Sequence, residues 1–156
     1  MFRFLFASIL IILGCVNSAH AEESSGMAPH PNYGIGGGVG FTSLLHIDYQ
    51  NWINEKSSIE VGLTPMLLHN VLLVAYNHHI NLKTEGTRTH NLVASGGYLG
   101  IANLGFIFNG VGARVGYEIL GDKRGFSLVV GGFVSPDELK AMPSVRLTIW
   151  GLKRKP

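Results

Sequence analysis

Residues 110–120 read GVGARVGYEIL, the charged run GDKRG follows over 121–125, and FSLVVGGFV occupies 126–134. In the first run Val111, Ala113, Val115, Tyr117 and Ile119 alternate with Gly112, Arg114, Gly116 and Glu118. A period of two places these sets on opposite faces of one extended strand. One face is apolar; the other is glycine with single charges. The charged run reads as a tight turn, and residues 126–134 as a returning strand, mostly apolar on both faces. The local unit is therefore an antiparallel hairpin.

The same period recurs on both sides of this hairpin. Within 39–51, Val39, Phe41, Leu45, Ile47 and Tyr49 oppose Thr42, Leu44, His46, Asp48 and Gln50. Residues 51–58 form a polar turn around Glu55 and Lys56, after which Ile59, Val61 and Leu63 oppose Glu60, Gly62 and Thr64 up to Pro65. Within 70–81, Leu72, Val74, Tyr76 and Ile80 oppose Leu73, Ala75, Asn77, His79 and Asn81, and 83–88 is a polar loop. Residues 135–143 make a longer connection with one helix-like turn at 137–142. The final strand, 144–152, sets Val145, Leu147 and Ile149 against Arg146, Thr148 and Trp150. About seven strands are counted, six of them delimited above, and an eighth is expected within 90–108, where Gly96, Gly97, Gly100 and Gly105 blur the alternation. Residues 34–38, GIGGG, precede a strand and read as close backbone packing or a flexible entry. With no helix of useful length, the predicted architecture is an up-and-down meander of adjacent strands.

Composition bounds the alternatives. The chain has 156 residues, enough for one domain, with 21 Gly, 14% charged residues, 46% hydrophobic residues and a net charge of +2. An ordinary soluble domain carries about 25% charged residues and about 7% glycine, so both values depart from the norm. Disorder needs high charge with low hydrophobicity, which is the reverse. The glycines lack the three-residue period of collagen. The small, scattered charge excludes a nucleic-acid footprint.

The N-terminus reads as an address. Residues 1–21, MFRFLFASILIILGCVNSAHA, join a basic Arg3, an apolar run over 4–14 and small residues at Ala19 and Ala21, the pattern of a cleaved export signal. The apolar run is too short for a spanning helix, which needs ~20 residues. Cleavage after Ala21 removes Cys15, the one cysteine. A competing site is Ile12-Leu13-Gly14-Cys15, which loosely matches a lipoprotein box with Cys15 acylated. The expected organisation is a signal peptide over 1–21, a polar leader over 22–33, a β-barrel over 34–152 and a basic tail over 153–156. The tail can touch anionic head groups or remain solvated.

Alternation suits a soluble barrel or a membrane barrel, and the wet side distinguishes them. The polar face here is built from Gly, Thr, Asn, His and single charges, whereas charges collect at Glu55-Lys56, 83–88 and 122–124. Several strands also reach the ~9–11 residues that cross a bilayer when tilted. These features, with GVGARVGYEIL, its charged turn and FSLVVGGFV, resemble the small outer-membrane β-barrels of Gram-negative bacteria, of the OmpA-like and opacity-protein type. The resemblance covers roughly 34–152. It implies an antiparallel up-and-down transmembrane β-barrel of about eight strands, outer-membrane lipid as its surroundings, and the barrel-assembly machinery as a partner. Two departures stand out: seven clear strands where such barrels have an even number, and a basic tail after Trp150 where they end on an aromatic.

The candidate lumen-facing polar residues are Asp48, Glu60, Arg114, Glu118 and Arg146, with His46 and His79 of similar kind. Unpaired charges inside a barrel are costly, so cross-strand pairing is expected. Arg114 and Glu118 share a face but lie ~13 Å apart along an extended strand and need other partners. His78 and His79 point to opposite faces, and no metal-ligand spacing occurs, so neither metal nor cofactor is expected. A catalytic alternative pairs His46 and Asp48 with Ser43, Ser95 or Ser127, as in a lipid A or phospholipid acyl hydrolase or transferase. No His-x-Ser or Gly-x-Ser-x-Gly motif supports it. The leading expectation is a non-enzymatic outer-membrane barrel with a structural or surface role, with small-solute passage as an option. A soluble periplasmic lipocalin-like binding module is the other alternative.

Overall fold

The computed structural model describes residues 31–42, 44–66, 69–103, 105–136 and 140–154. The expected signal peptide, with Cys15, and most of the leader lie outside the described residues. Eight strands run in chain order: β1 (Tyr33–Gly40), β2 (Leu44–Asn54), β3 (Ser57–Met66), β4 (His69–Glu85), β5 (Arg88–Asn103), β6 (Phe106–Leu120), β7 (Arg124–Ser135) and β8 (Lys140–Lys153). Each pairs antiparallel with the next, and β1 pairs with β8, from Tyr33 opposite Lys153 to Gly40 opposite Arg146. The all-β, up-and-down, eight-stranded closed barrel expected from the alternation is the observed fold.

Closure gives the sheet an inside and an outside, and alternate residues divide between them. Phe41, Ile47 and Tyr49 are 70%, 55% and 45% exposed on the outer surface. His46, Asp48 and Gln50, the residues between and beyond them, are buried. Outward positions continue around the wall through Leu63, Leu72, Leu92, Val115, Leu128, Val145 and Ile149. Charged side chains of the described strands either face the lumen, as Asp48, Glu60, Arg114, Glu118 and Arg146 do, or lie in the last three residues at a strand end. This is a soluble barrel turned inside out.

The two rims differ. One carries the strand termini Tyr33 and Lys153 and the β2–β3, β4–β5 and β6–β7 turns; it is called here the terminal rim. The opposite, far rim is filled by an apolar cluster of Val71, Leu73, Ala75, Leu99, Ile101, Phe108 and Phe133, against which Phe106 and Met142 pack. Between this plug and the terminal rim the lumen is polar. At the terminal rim the β4–β5 hairpin outruns its neighbours, with Lys83 opposite His90 and Glu85 opposite Arg88.

Several local expectations change. The strand expected within residues 90–108 is present: β5 fills most of that stretch, followed by a turn and the start of β6. A further strand, β1, takes up the GIGGG run, and of the two readings of that run, close backbone packing or a flexible entry, close packing is the one found. Its glycines face bulky neighbours across the wall. A Cβ on Gly36 would lie 2.6 Å from the Trp150 ring and 2.7 Å from the Thr148 methyl. The run 39–51 is two strands, parted by a turn after Gly40. Leu44, assigned to the inner face, is instead exposed at the start of β2 with φ +28°. The polar stretches 51–58 and 83–88 are largely strand, because cross-strand hydrogen bonding continues beyond the apolar positions. Lys140–Met142, the described part of the expected helical turn, belongs to β8.

Candidate functional site

Inward residues from distant strands meet in the lumen in two clusters. In the first, the guanidinium of Arg146 on β8 donates to Asp48 on β2 and lies 3.5 Å from Glu60 on β3. Arg114 on β6 donates to the other Glu60 oxygen at 3.0 Å, and the Asn77 amide donates to that oxygen at 3.1 Å. Two carboxylates thus face two guanidiniums across four strands. Water is largely excluded, so each charge depends on its partner. Gly62, directly opposite Asp48 on β3, leaves room for this cluster: a Cβ there would lie 2.8 Å from Arg146.

His46 and Asp48 do meet, at 3.2 Å between Nε2 and Oδ2. The Thr148 hydroxyl donates to Asp48 at 3.3 Å and lies 3.0 Å from His46 Nε2. Because Thr148 has one proton and gives it to Asp48, His46 Nε2 must be the donor in its own contact with Thr148. A nitrogen already donating cannot take a proton from a nucleophile. Of the serines considered with this pair, Ser127 accepts from the Trp150 indole at 2.9 Å, and Ser95 has no hydrogen-bond partner among the described residues. Ser43 lies outside the described residues.

The second cluster lies nearer the terminal rim and brings together residues the sequence reading did not join. His79 on β4 places Nδ1 2.8 Å from Glu118 Oε2 on β6. Its Nε2 lies 2.8 Å from the hydroxyl of Ser58 on β3. The Gln50 amide donates to that hydroxyl at 2.7 Å, and the Asn91 amide donates to Glu118 at 3.2 Å. Trp52 stacks over the His79 ring with centroids 5.8 Å apart. Glu118 is therefore set apart from Asp48 and Glu60: among the described residues its basic partner is the His79 imidazole, with no guanidinium.

With Glu118 ionised and His79 neutral, proton bookkeeping orders this cluster, in which the Gln50 amide nitrogen also lies 3.4 Å from His79 Nε2. Glu118 can only accept, so His79 carries its hydrogen on Nδ1 and presents Nε2 as an acceptor. Gln50 donates to the Ser58 oxygen, so the Ser58 hydroxyl hydrogen is free to point at Nε2. The chain runs Ser58 to His79 to Glu118 in one direction. Beside it a cavity of about 390 Å3 at the terminal rim is lined by Trp52, Lys56, His79, Asn91, Leu120 and Arg154 among others.

Nothing in the sequence singles out Ser58, because the polar run 51–58 reads as a turn, whereas Ser58 is an inward strand residue two positions before Glu60. The usable signal was parity. Ser58, His79 and Glu118 all fall on the inward register once β3 is extended back to Ser57. No three His, Asp or Glu side chains converge as a metal site among the described residues. Comparison with models of protein families, with curated proteins and with solved structures finds no match for this chain.

Proposed function

We propose that the protein is an outer-membrane β-barrel with a structural or surface role, its outer wall set in lipid and its lumen closed. The observation that carries this reading is the orientation of the wall. A continuous apolar outer surface surrounds buried ion pairs, the arrangement a bilayer requires and water penalises. An 11-residue strand such as β2, tilted by ~40°, rises about 28 Å, which matches the hydrocarbon thickness. Aromatic residues near the terminal rim fit an interfacial girdle: Tyr33 and Tyr49 pack with ring centroids 6.2 Å apart, and Tyr76 donates to Ser57. The export signal read at 1–21 supplies the route.

A lipocalin-like module would put Phe41, Ile47 and Tyr49 in a core; they are on the outside. Solute passage is opposed by the apolar plug at the far rim and by the ion-pair cluster above it. The test is to express residues 22–156, refold the chain with detergent or vesicles and compare boiled with unboiled samples on a denaturing gel. Faster migration of the unboiled, folded form, together with flotation with vesicles, is expected. A folded monomer that stays soluble without detergent overturns the reading.

A further inference from the structure

We infer that Ser58, His79 and Glu118 form an esterase site, in which a short-chain carboxylic ester enters by the terminal-rim cavity and is hydrolysed through an acyl–Ser58 intermediate. This inference needs a closed barrel and stands apart from whether its wall meets lipid. The geometry is that of an activated nucleophile: a hydroxyl and a base 2.8 Å apart, and the base 2.8 Å from a buried carboxylate that orients it. A network serving only to fill the lumen has no need of this polarity, and the neighbouring cluster lacks it, since each of its carboxylates is met by a guanidinium.

In the first half-reaction the Ser58 oxygen attacks the acyl carbon while its proton passes to His79 Nε2. The ester C–O bond then breaks, and the leaving alcohol takes that proton. In the second half-reaction a water molecule gives a proton to His79 and attacks the acyl–Ser58 carbonyl. The carboxylic acid departs as Ser58 recovers its proton, and both half-reactions balance with water as co-reactant. Glu118 acts through His79 as a positioning residue, holding the tautomer and balancing the transient imidazolium. The Gln50 amide donates to the Ser58 oxygen at 2.7 Å, and its second N–H would meet the charge that develops on the carbonyl.

Access is gated. Ser58 is 0% exposed, and Trp52, its direct cross-strand partner, stacks on His79 and lines the cavity. Rotation of the indole toward the cavity uncovers the pair. The cavity volume of about 390 Å3 suits a small acyl group and its alcohol.

The experiment treats the full chain, purified in detergent, with a fluorophosphonate and maps the adduct by mass spectrometry, with turnover of 4-nitrophenyl butyrate measured in parallel. The expected result is one adduct on Ser58, absent from Ser58→Ala and slowed at least about 100-fold in His79→Ala. Trp52→Ala, which opens the lid, labels several-fold faster than the native chain. Glu118→Gln lowers kcat about 10²–10⁴-fold at unchanged KM, a split that a purely structural role would not produce. Circular dichroism confirms that each variant retains its strands. If the native chain and Trp52→Ala, both folded, leave Ser58 unlabelled, or label Ser127 as fast as Ser58, the inference is overturned; neither outcome bears on insertion into lipid.

Discussion

Arg146 reaches Asp48 across 98 residues of sequence and also lies within 3.5 Å of Glu60, so one guanidinium serves two buried carboxylates. Glu60 has a second cation in Arg114; Asp48 has Arg146 alone among the described Lys and Arg side chains. Replacing Arg146 by Met therefore leaves Asp48 as a buried charge with only Thr148 and His46 for company. The expected cost is about 3–5 kcal/mol, read from the urea midpoint of the refolded barrel. The double variant Asp48→Asn with Arg146→Met recovers much of that loss, because the orphaned charge is gone. Equal losses in the single and double variants would mean that the pair is not what fixes this part of the lumen. The alternation in the sequence assigned Asp48, Glu60, Arg114, Glu118 and Arg146 to one face of their strands. It could not pair them, since pairing depends on the register between strands many turns apart. For the same reason the meeting of Ser58, His79 and Glu118 was invisible. Each is an unremarkable polar residue on its own strand.

At the scale of the element, β1 is the strand that the sequence conceals. Its inner face is Gly34, Gly36 and Gly38, so the apolar–polar contrast that marks other strands is missing. What makes those glycines necessary lies on β2 and β8. Trp150, Thr148 and His46 occupy the space in front of β1, and a Cβ on Gly38 would run into the Leu147 carbonyl. The outward Gly37 is different: a Cβ there would meet only the His46 carbonyl, at 3.5 Å. Gly38→Ala is therefore expected to destabilise the barrel by about 1–3 kcal/mol through overpacking at the β1–β8 seam. Gly37→Ala should stay within about 0.5 kcal/mol of the native chain. Parallel urea titrations decide the matter, and equal effects of the two substitutions would show that the inner face of β1 is not tightly packed. The hairpin at 110–134 was legible for the opposite reason. Its outer face carries Val111, Val115, Tyr117, Leu128 and Val130 without interruption, and its turn carries the charges.

The whole molecule is asymmetric along its axis and inverted across its wall. An apolar plug closes the far rim, paired charges fill the middle, and a cavity opens at the terminal rim above Ser58 and His79. On the proposed reading the inversion makes a demand that no single strand makes: the outer wall meets an apolar medium all the way round. Ile47 is a direct probe of that medium. It sits mid-strand on β2, outward, opposite Gly37 on β1 and Leu63 on β3, and touches none of the lumen clusters. In a bilayer, Ile47→Arg must either bury a guanidinium in hydrocarbon or distort the lipid around it, at a cost of about 2–4 kcal/mol near the midplane. In water the same substitution on an exposed strand position changes stability by about 0.5 kcal/mol or less. The measurement is urea unfolding of native and Ile47→Arg chains refolded into vesicles, with Thr84→Arg on the protruding hairpin as the control beyond the wall. A loss at Ile47 with none at Thr84 is expected. Equal, small effects at both sites would mean that the outer wall is not held in lipid, since a bilayer discriminates by depth and water does not.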